Sequence, residues 1–77
     1  MIFNKIHWLG VGLSSPPGVL YLHKKGHDLG VWNRSVDKAS KLLKNRLTIN
    51  HLNFDDLKKN LKANDIIVSM LPASMHY

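Results

Sequence analysis

Cysteine is missing from this 77-residue chain, and so is glutamate. Without cysteine there is no disulfide to staple a small fold and no thiolate to hold a metal. The absence does not by itself fix a compartment. The five acidic residues are all aspartates, set against eleven lysines and arginines, for a formal charge of +6. Long apolar runs are also missing: the longest span a few residues, far short of the roughly 20 that cross a bilayer. Met1-Ile2-Phe3-Asn4-Lys5 has neither the charged head nor the long apolar stretch of a signal peptide. A cytoplasmic location and no membrane partner are therefore expected. Domains cluster near ~100–150 residues, so this length allows one small domain or part of a larger one.

The basic residues are scattered along the chain, from Lys5 through Lys24, Lys25, Arg34, Lys38 and Lys41 to Lys62. Most fall at solvent-facing positions of expected helices, which reads as a solvated surface rather than a nucleic-acid groove. Only Arg34 has a position that suggests a specific role. His7, His23, His27, His51 and His76 lie in separate segments without helical ligand spacing, so no metal site is expected. Ser14 and Ser15 lack the nucleophile-elbow spacing of a hydrolase.

Apolar and glycine patterning divides the chain into alternating strands and helices. Ile6-His7-Trp8-Leu9 is short, rich in large apolar residues and closed by Gly10-Val11-Gly12, the pattern of a buried parallel strand. Pro16 and Pro17 suit the first turn of a helix, and Gly26 suits its left-handed stop. Leu29-Gly30-Val31-Trp32 forms a second strand, in which Gly30 marks a close approach or a bulge. Ser35 can cap a helix through Val36, Ala39, Leu42 and Leu43, with Asp37 near its start and Lys44 near its end. Leu47-Thr48-Ile49 is the expected third strand. Phe54, Leu57 and Leu61 define a short third helix. Ile66 to Leu71 is the most strand-like run, stopped by Pro72. Trp8 and Trp32 are expected to pack the sheet against its helices.

The order β-α-β-α-β-α-β implies parallel strands joined by right-handed crossovers. The expected fold is α/β: a partial Rossmann fold with strand order 3-2-1-4 and helices on both faces. Residues 1–77 are read as the incomplete amino-terminal part of an NAD(P)-binding domain, with the fourth strand left as an unpaired edge.

Gly10-Val11-Gly12-Leu13-Ser14-Ser15 lies between a strand and a helix, where a dinucleotide fingerprint is expected. Gly10 would make the tight turn, and Gly12 would let the backbone approach a pyrophosphate. The helix amino terminus would offer N–H groups and a positive dipole end. Ser15 stands where glycine or alanine is usual. About twenty residues on, NAD enzymes carry an acid for the ribose hydroxyl; here Asn33, Arg34 and Ser35 follow the second strand. An amide does not repel a 2′-phosphate and a guanidinium grips one as a fork, which favours NADP(H) over NAD(H). Ser69 to His76 lie at the carboxyl end of the fourth strand, where loops line the cofactor crevice.

These residues, together with Pro17-Gly18, Gly26-His27, Lys38-Ala39 and Val68-Ser69-Met70-Leu71-Pro72, resemble the amino-terminal region of the saccharopine dehydrogenase family. The resemblance implies an NADP-binding domain with Gly10, Gly12, Ser14 and Ser15 at the phosphates, and Leu13 is expected at the cofactor beside them. It also implies Asn33, Arg34 and Ser35 at the adenosine ribose, and Leu71 and Pro72 along the cofactor. The chain also resembles the 3-hydroxyisobutyrate and 6-phosphogluconate dehydrogenases, departing from them at Ser15, where they carry glycine. The expected function is the cofactor-binding portion of an NAD(P)-dependent oxidoreductase, with a non-catalytic nucleotide-binding module as the alternative. The expected partners are the dinucleotide, a small-molecule substrate and, in a full-length enzyme, a second copy. No catalytic residue is assigned, and the 77 residues alone are expected to be inactive.

Overall fold

A computed structural model describes residues 4–71. Four strands and three helices alternate: β1 (Ile6–Leu9), α1 (Pro16–Lys24), β2 (Leu29–Asn33), α2 (Val36–Leu42), β3 (Ile49–His51), α3 (Phe54–Asn60) and β4 (Ile66–Ser69). The strands form one parallel sheet in the order β3-β2-β1-β4, as the alternation requires.

β1 is central, and all four of its residues are buried. Ile6 pairs with Leu29 on one side and Ile66 on the other, and Leu9 pairs with Trp32 and Ser69. Alternation along the strands divides the core between two faces. Trp8 and Val31 meet Val19 of α1 and Ala39 of α2 on one face. Leu9 and Trp32 meet Leu57 of α3 on the other. Both tryptophans thus seal the sheet against helices, one on each side. Trp8 lies under Gly18, where an added Cβ would come within 3.0 Å of the indole. No helix among the described residues is long and apolar enough to cross a membrane.

The helix ends follow local chemistry. Pro16 and Pro17 open α1, and Gly26 ends it at φ +83°. The Ser35 hydroxyl caps α2 by accepting from the Lys38 N–H. Asn53 caps α3, accepting from the amides of Asp55 and Asp56. β3 begins two residues later than the apolar pattern predicts. After α2 the chain turns through Lys44 and Asn45, both left-handed, with the Asn45 N–H donating to the Ser40 carbonyl. That turn places Leu47 as a partly buried prop against the core, and Ile49 is the first residue in register with Val31. β4 forms the edge, with Ile66 and Ile67 exposed.

Gly30 marks a close approach. An added Cβ there would lie 3.4 Å from the Trp32 indole nitrogen and 3.5 Å from His7 Nδ1. The gap lets the Trp32 N–H donate to His7 Nδ1 at 3.3 Å. An indole nitrogen only donates, so Nδ1 accepts and the imidazole proton sits on Nε2. Nε2 then donates to Asp65 Oδ2 at 3.0 Å, which also accepts from the Lys62 amide. His7 is fully buried, so this chain satisfies an imidazole in the core. The hydrogen bonds from the Lys62 backbone and from His7 hold the Asp65 carboxyl below its ordinary value of 3.8. A depressed carboxyl pKa contributes stability that is present above the unfolded value and is lost as pH falls through the folded one. Asp65→Asn is therefore expected to be less stable than the parent at pH 7, with the gap closing below a pH of about 4. Denaturant unfolding at the two pH values measures this, and a gap of constant size would refute the coupling.

Candidate functional site

The parallel register brings the carboxyl ends of β1, β2 and β4 level. The Gly10 N–H donates to the Trp32 carbonyl and the Met70 N–H to the Leu9 carbonyl, each at 2.8 Å. The glycine loop therefore leaves the sheet between the ends of two neighbouring strands. Gly10 takes φ +88°, and a Cβ there would lie 3.0 Å from the Leu71 side chain and 3.3 Å from the Met70 carbonyl carbon. Both conformation and packing demand glycine at this position. Gly12 differs. Its backbone needs no positive φ, and a Cβ there would meet nothing within 4 Å. No contact within the described residues requires a glycine at Gly12. The bare backbone faces open space, as an approaching pyrophosphate would need.

Ser15 and Asn33 brace the loop from within. Ser15 is buried, and its hydroxyl accepts from the Gly12 N–H at 3.2 Å while its own N–H donates to the Gly12 carbonyl. Asn33 closes β2 and reaches across to β1: its Oδ1 accepts from the Val11 N–H at 3.0 Å, and its Nδ2 donates to the Ser35 carbonyl at 2.7 Å. One amide therefore ties the glycine loop to the start of α2. This strut role was not evident from the sequence, which pointed Asn33 at a ribose.

The helix amino terminus offers fewer donors than a glycine loop alone suggests. Pro16 and Pro17 have no N–H, and the Ser15 N–H is already bonded. The amides of Leu13 and Ser14 make no hydrogen bond among the described residues, and both residues are exposed. Anion-binding capacity thus shifts from the first turn of α1 to the loop tip just before it. The dipole of α1 still points its positive end there.

Two grooves flank the loop. One of about 280 Å³ is lined by Gly10, Val11, Gly12, Asn33, Arg34, Met70 and Leu71. A second of about 410 Å³ lies between the loop and α2, lined by Val11, Gly12, Leu13, Lys38, Lys41 and Leu42. Of the residues expected at a cofactor, Gly10, Gly12, Asn33, Arg34 and Leu71 share the first groove and Leu13 walls the second. Ser14 lies at the tip, Ser15 faces inward, and Ser35 is a helix cap. Pro72 and His76 lie outside the described residues. Lys38 and Lys41 were missed. Lys38 falls in the first turn of α2, at the carboxyl end of the sheet, and that placement was the available signal.

A model of the shikimate / quinate 5-dehydrogenase family matches residues 3–76. The chain belongs to this family. The NAD(P)-binding, Rossmann-like character expected of the domain stands with it, and a nicotinamide dinucleotide is the cofactor class. The match does not extend to the saccharopine type in particular, nor to the 3-hydroxyisobutyrate type. The chain is also 29% identical over 74 residues to a glutamyl-tRNA reductase from Thermosipho melanesiensis. That alignment covers 96% of this chain and 20% of the relative, so the chain spans about a fifth of the length of the curated protein it matches. No solved structure gives a significant match.

Within this fold the strut at Asn33 fixes the loop that follows β1. Asn33→Ala leaves the Val11 N–H without its partner, at a cost of about 1–3 kcal/mol in stability. Amide hydrogen exchange at Val11 is expected to accelerate while exchange at Trp8 changes no more than global stability requires. Unchanged protection at Val11 would show that the strut does not hold the loop.

Proposed function

We propose that this chain is the NADP(H)-binding portion of a dehydrogenase, with Gly12, Leu13 and Ser14 at the pyrophosphate. The observation that carries the reading is Gly12, a glycine with no internal reason to be one, between two grooves lined by cations. The unbonded amides of Leu13 and Ser14 are the donors for phosphate oxygens. Gly10 supplies the turn, and Ser15 and Asn33 hold the loop in shape. Arg34 lines one groove, and Lys38 and Lys41 line the other. A 2′-phosphate on the adenosine ribose meets the guanidinium fork and one or both ammonium groups, whereas a bare hydroxyl brings no negative charge to them. Ser35 keeps Arg34 and Lys38 in place by capping α2. Leu71 runs along the cofactor.

When bound, the nicotinamide supplies hydride chemistry; the protein's share is orientation and exclusion of water. The family match supports a substrate whose carbinol carbon is oxidised to a ketone, as the name shikimate / quinate 5-dehydrogenase implies. Neither an amine-bearing substrate of the saccharopine type nor a 3-hydroxyisobutyrate-type substrate draws support from the comparisons. Among the described residues, Arg34 is the one ionisable side chain that lines the first groove. A non-catalytic nucleotide-binding module is the second reading.

Titration of NADPH and NADH against the chain, with and without Arg34→Ala, tests the assignment. NADPH is expected to bind at least tenfold more tightly than NADH. Losing one charged hydrogen-bonding partner costs about 1.5–3 kcal/mol, or roughly 10- to 100-fold in NADPH affinity, with NADH little affected. Equal affinities, unmoved by the substitution, would overturn it.

A further inference from the structure

The basic residues that look scattered in the sequence are gathered by the topology. Each helix runs antiparallel to the strands, so α1 and α2 both end near the amino ends of β1, β2 and β3. Lys24, Lys25, Lys44 and Arg46 collect there on the α1–α2 side, all exposed. Lys5, Lys58, Lys59 and Lys62 take the α3 side and the edge between. Three of the five aspartates, Asp37, Asp55 and Asp56, lie at the opposite end, in the first turns of α2 and α3. At the amino end Asp28 is the one exposed acid among the described residues, because Asp65 is held against buried His7. The net charge of +6 is thus concentrated at the end of the sheet away from the glycine loop.

Helix dipoles account for part of this, since cations are favoured in last turns. They do not account for Lys44 and Arg46, which stand beyond α2. Lys44 takes φ 55°, a conformation that glycine or asparagine adopts more cheaply. Between α1 and that turn lies an open groove of about 540 Å³, lined by Leu20, Tyr21, His23, Lys24 and Arg46. Tyr21 is 59% exposed, and Lys25 Nζ sits 5.6 Å from its ring centroid. An exposed aromatic ring among cations, one of which lies over it, is the arrangement that stacks a base while the neighbouring cations take its phosphates. A lipid surface fits less well, because the site is concave and its one aliphatic side chain, Leu20, is half-buried.

We propose that this groove binds single-stranded nucleic acid, with Tyr21 as the stacking platform and Lys24, Lys25, Lys44 and Arg46 as the phosphate-binding cations. The site is separate from the proposed dinucleotide site and does not depend on it.

Fluorescence anisotropy of a labelled oligo(U) of about 20 nucleotides, titrated with the chain at roughly 50 to 200 mM salt, tests the proposal. Affinity is expected to fall steeply with salt. Lys24→Gln with Arg46→Gln should flatten the log–log salt dependence by about 1.4, near 0.7 for each phosphate no longer neutralised. Tyr21→Leu should weaken binding about tenfold without changing the slope. Lys58→Gln with Lys59→Gln, which removes equal charge from the α3 side, should have a much smaller effect. Circular dichroism melting confirms that each variant is folded. NADPH affinity should be unchanged in all of them, so failure here is distinguishable from failure of the dinucleotide assignment. The proposal is overturned by any of three results: no binding at low salt, equal losses from the two charge-matched pairs together with indifference to Tyr21→Leu, or displacement of the oligonucleotide by vesicles of anionic phospholipid at equal anionic charge.

Discussion

The parallel register of β1 between β2 and β4 is the constraint on which the rest depends. Every residue of β1 is buried, and its ladder is matched on both sides from Ile6 to Leu9. The match brings the three strands to an end at one level. Gly10 then meets Leu71, and Asn33 reaches the Val11 amide. A register slip of β4 would break the first contact and a slip of β2 the second, and either would turn that strand's buried side chains toward the wrong face. The same register aligns Gly30 with His7 and leaves room for the Trp32 indole to reach the imidazole. One set of backbone ladders thus positions the glycine loop at one end and supports a buried polar chain below it.

The loop is organised by its own contacts before any ligand reaches it. Ser15 and Asn33 together satisfy the amides of Gly12 and Val11, the two that precede the tip. The next two amides, of Leu13 and Ser14, make no hydrogen bond among the described residues. Pro16 and Pro17 remove the donors that would otherwise follow. This leaves a short window of unbonded N–H groups at the tip, with the α1 dipole behind it. A pre-set window of this kind costs little reorganisation on binding.

Much of the fold was legible in the sequence, because burial on both faces leaves continuous apolar strands and because proline, serine and glycine mark helix ends by local chemistry. Ile6–Leu9, the proline-led α1, the Gly26 stop and the Ser35 cap all follow from residues within one turn of each other. β3 was displaced because its start is set by the left-handed turn at Lys44 and Asn45 and by pairing with Val31, and neither is a local apolar signal. At the site, Gly10, Gly12 and Arg34 could be picked out by spacing. Ser15 and Asn33 could be placed there but not given their bracing roles, because those roles depend on atoms 3 and 22 positions away meeting at one point. Lys38 and Lys41 enter the site only because α2 packs beside the loop.

By itself, the sequence determined the alternation of elements, the parallel strand order, the glycine turn and the basic composition. Each of these is written in local spacing or in counts. The tertiary structure alone decided that the carboxyl ends of three strands converge on one loop, that an asparagine acts as a strut, and that His7 is satisfied by partners from two other segments. It also decided where the charge lies. Lysines spread from one end of the chain to the other become a segregated basic face because antiparallel helices return all their carboxyl termini to the same side of a parallel sheet. A linear pattern carries no record of that convergence, since it arises only when the crossovers close.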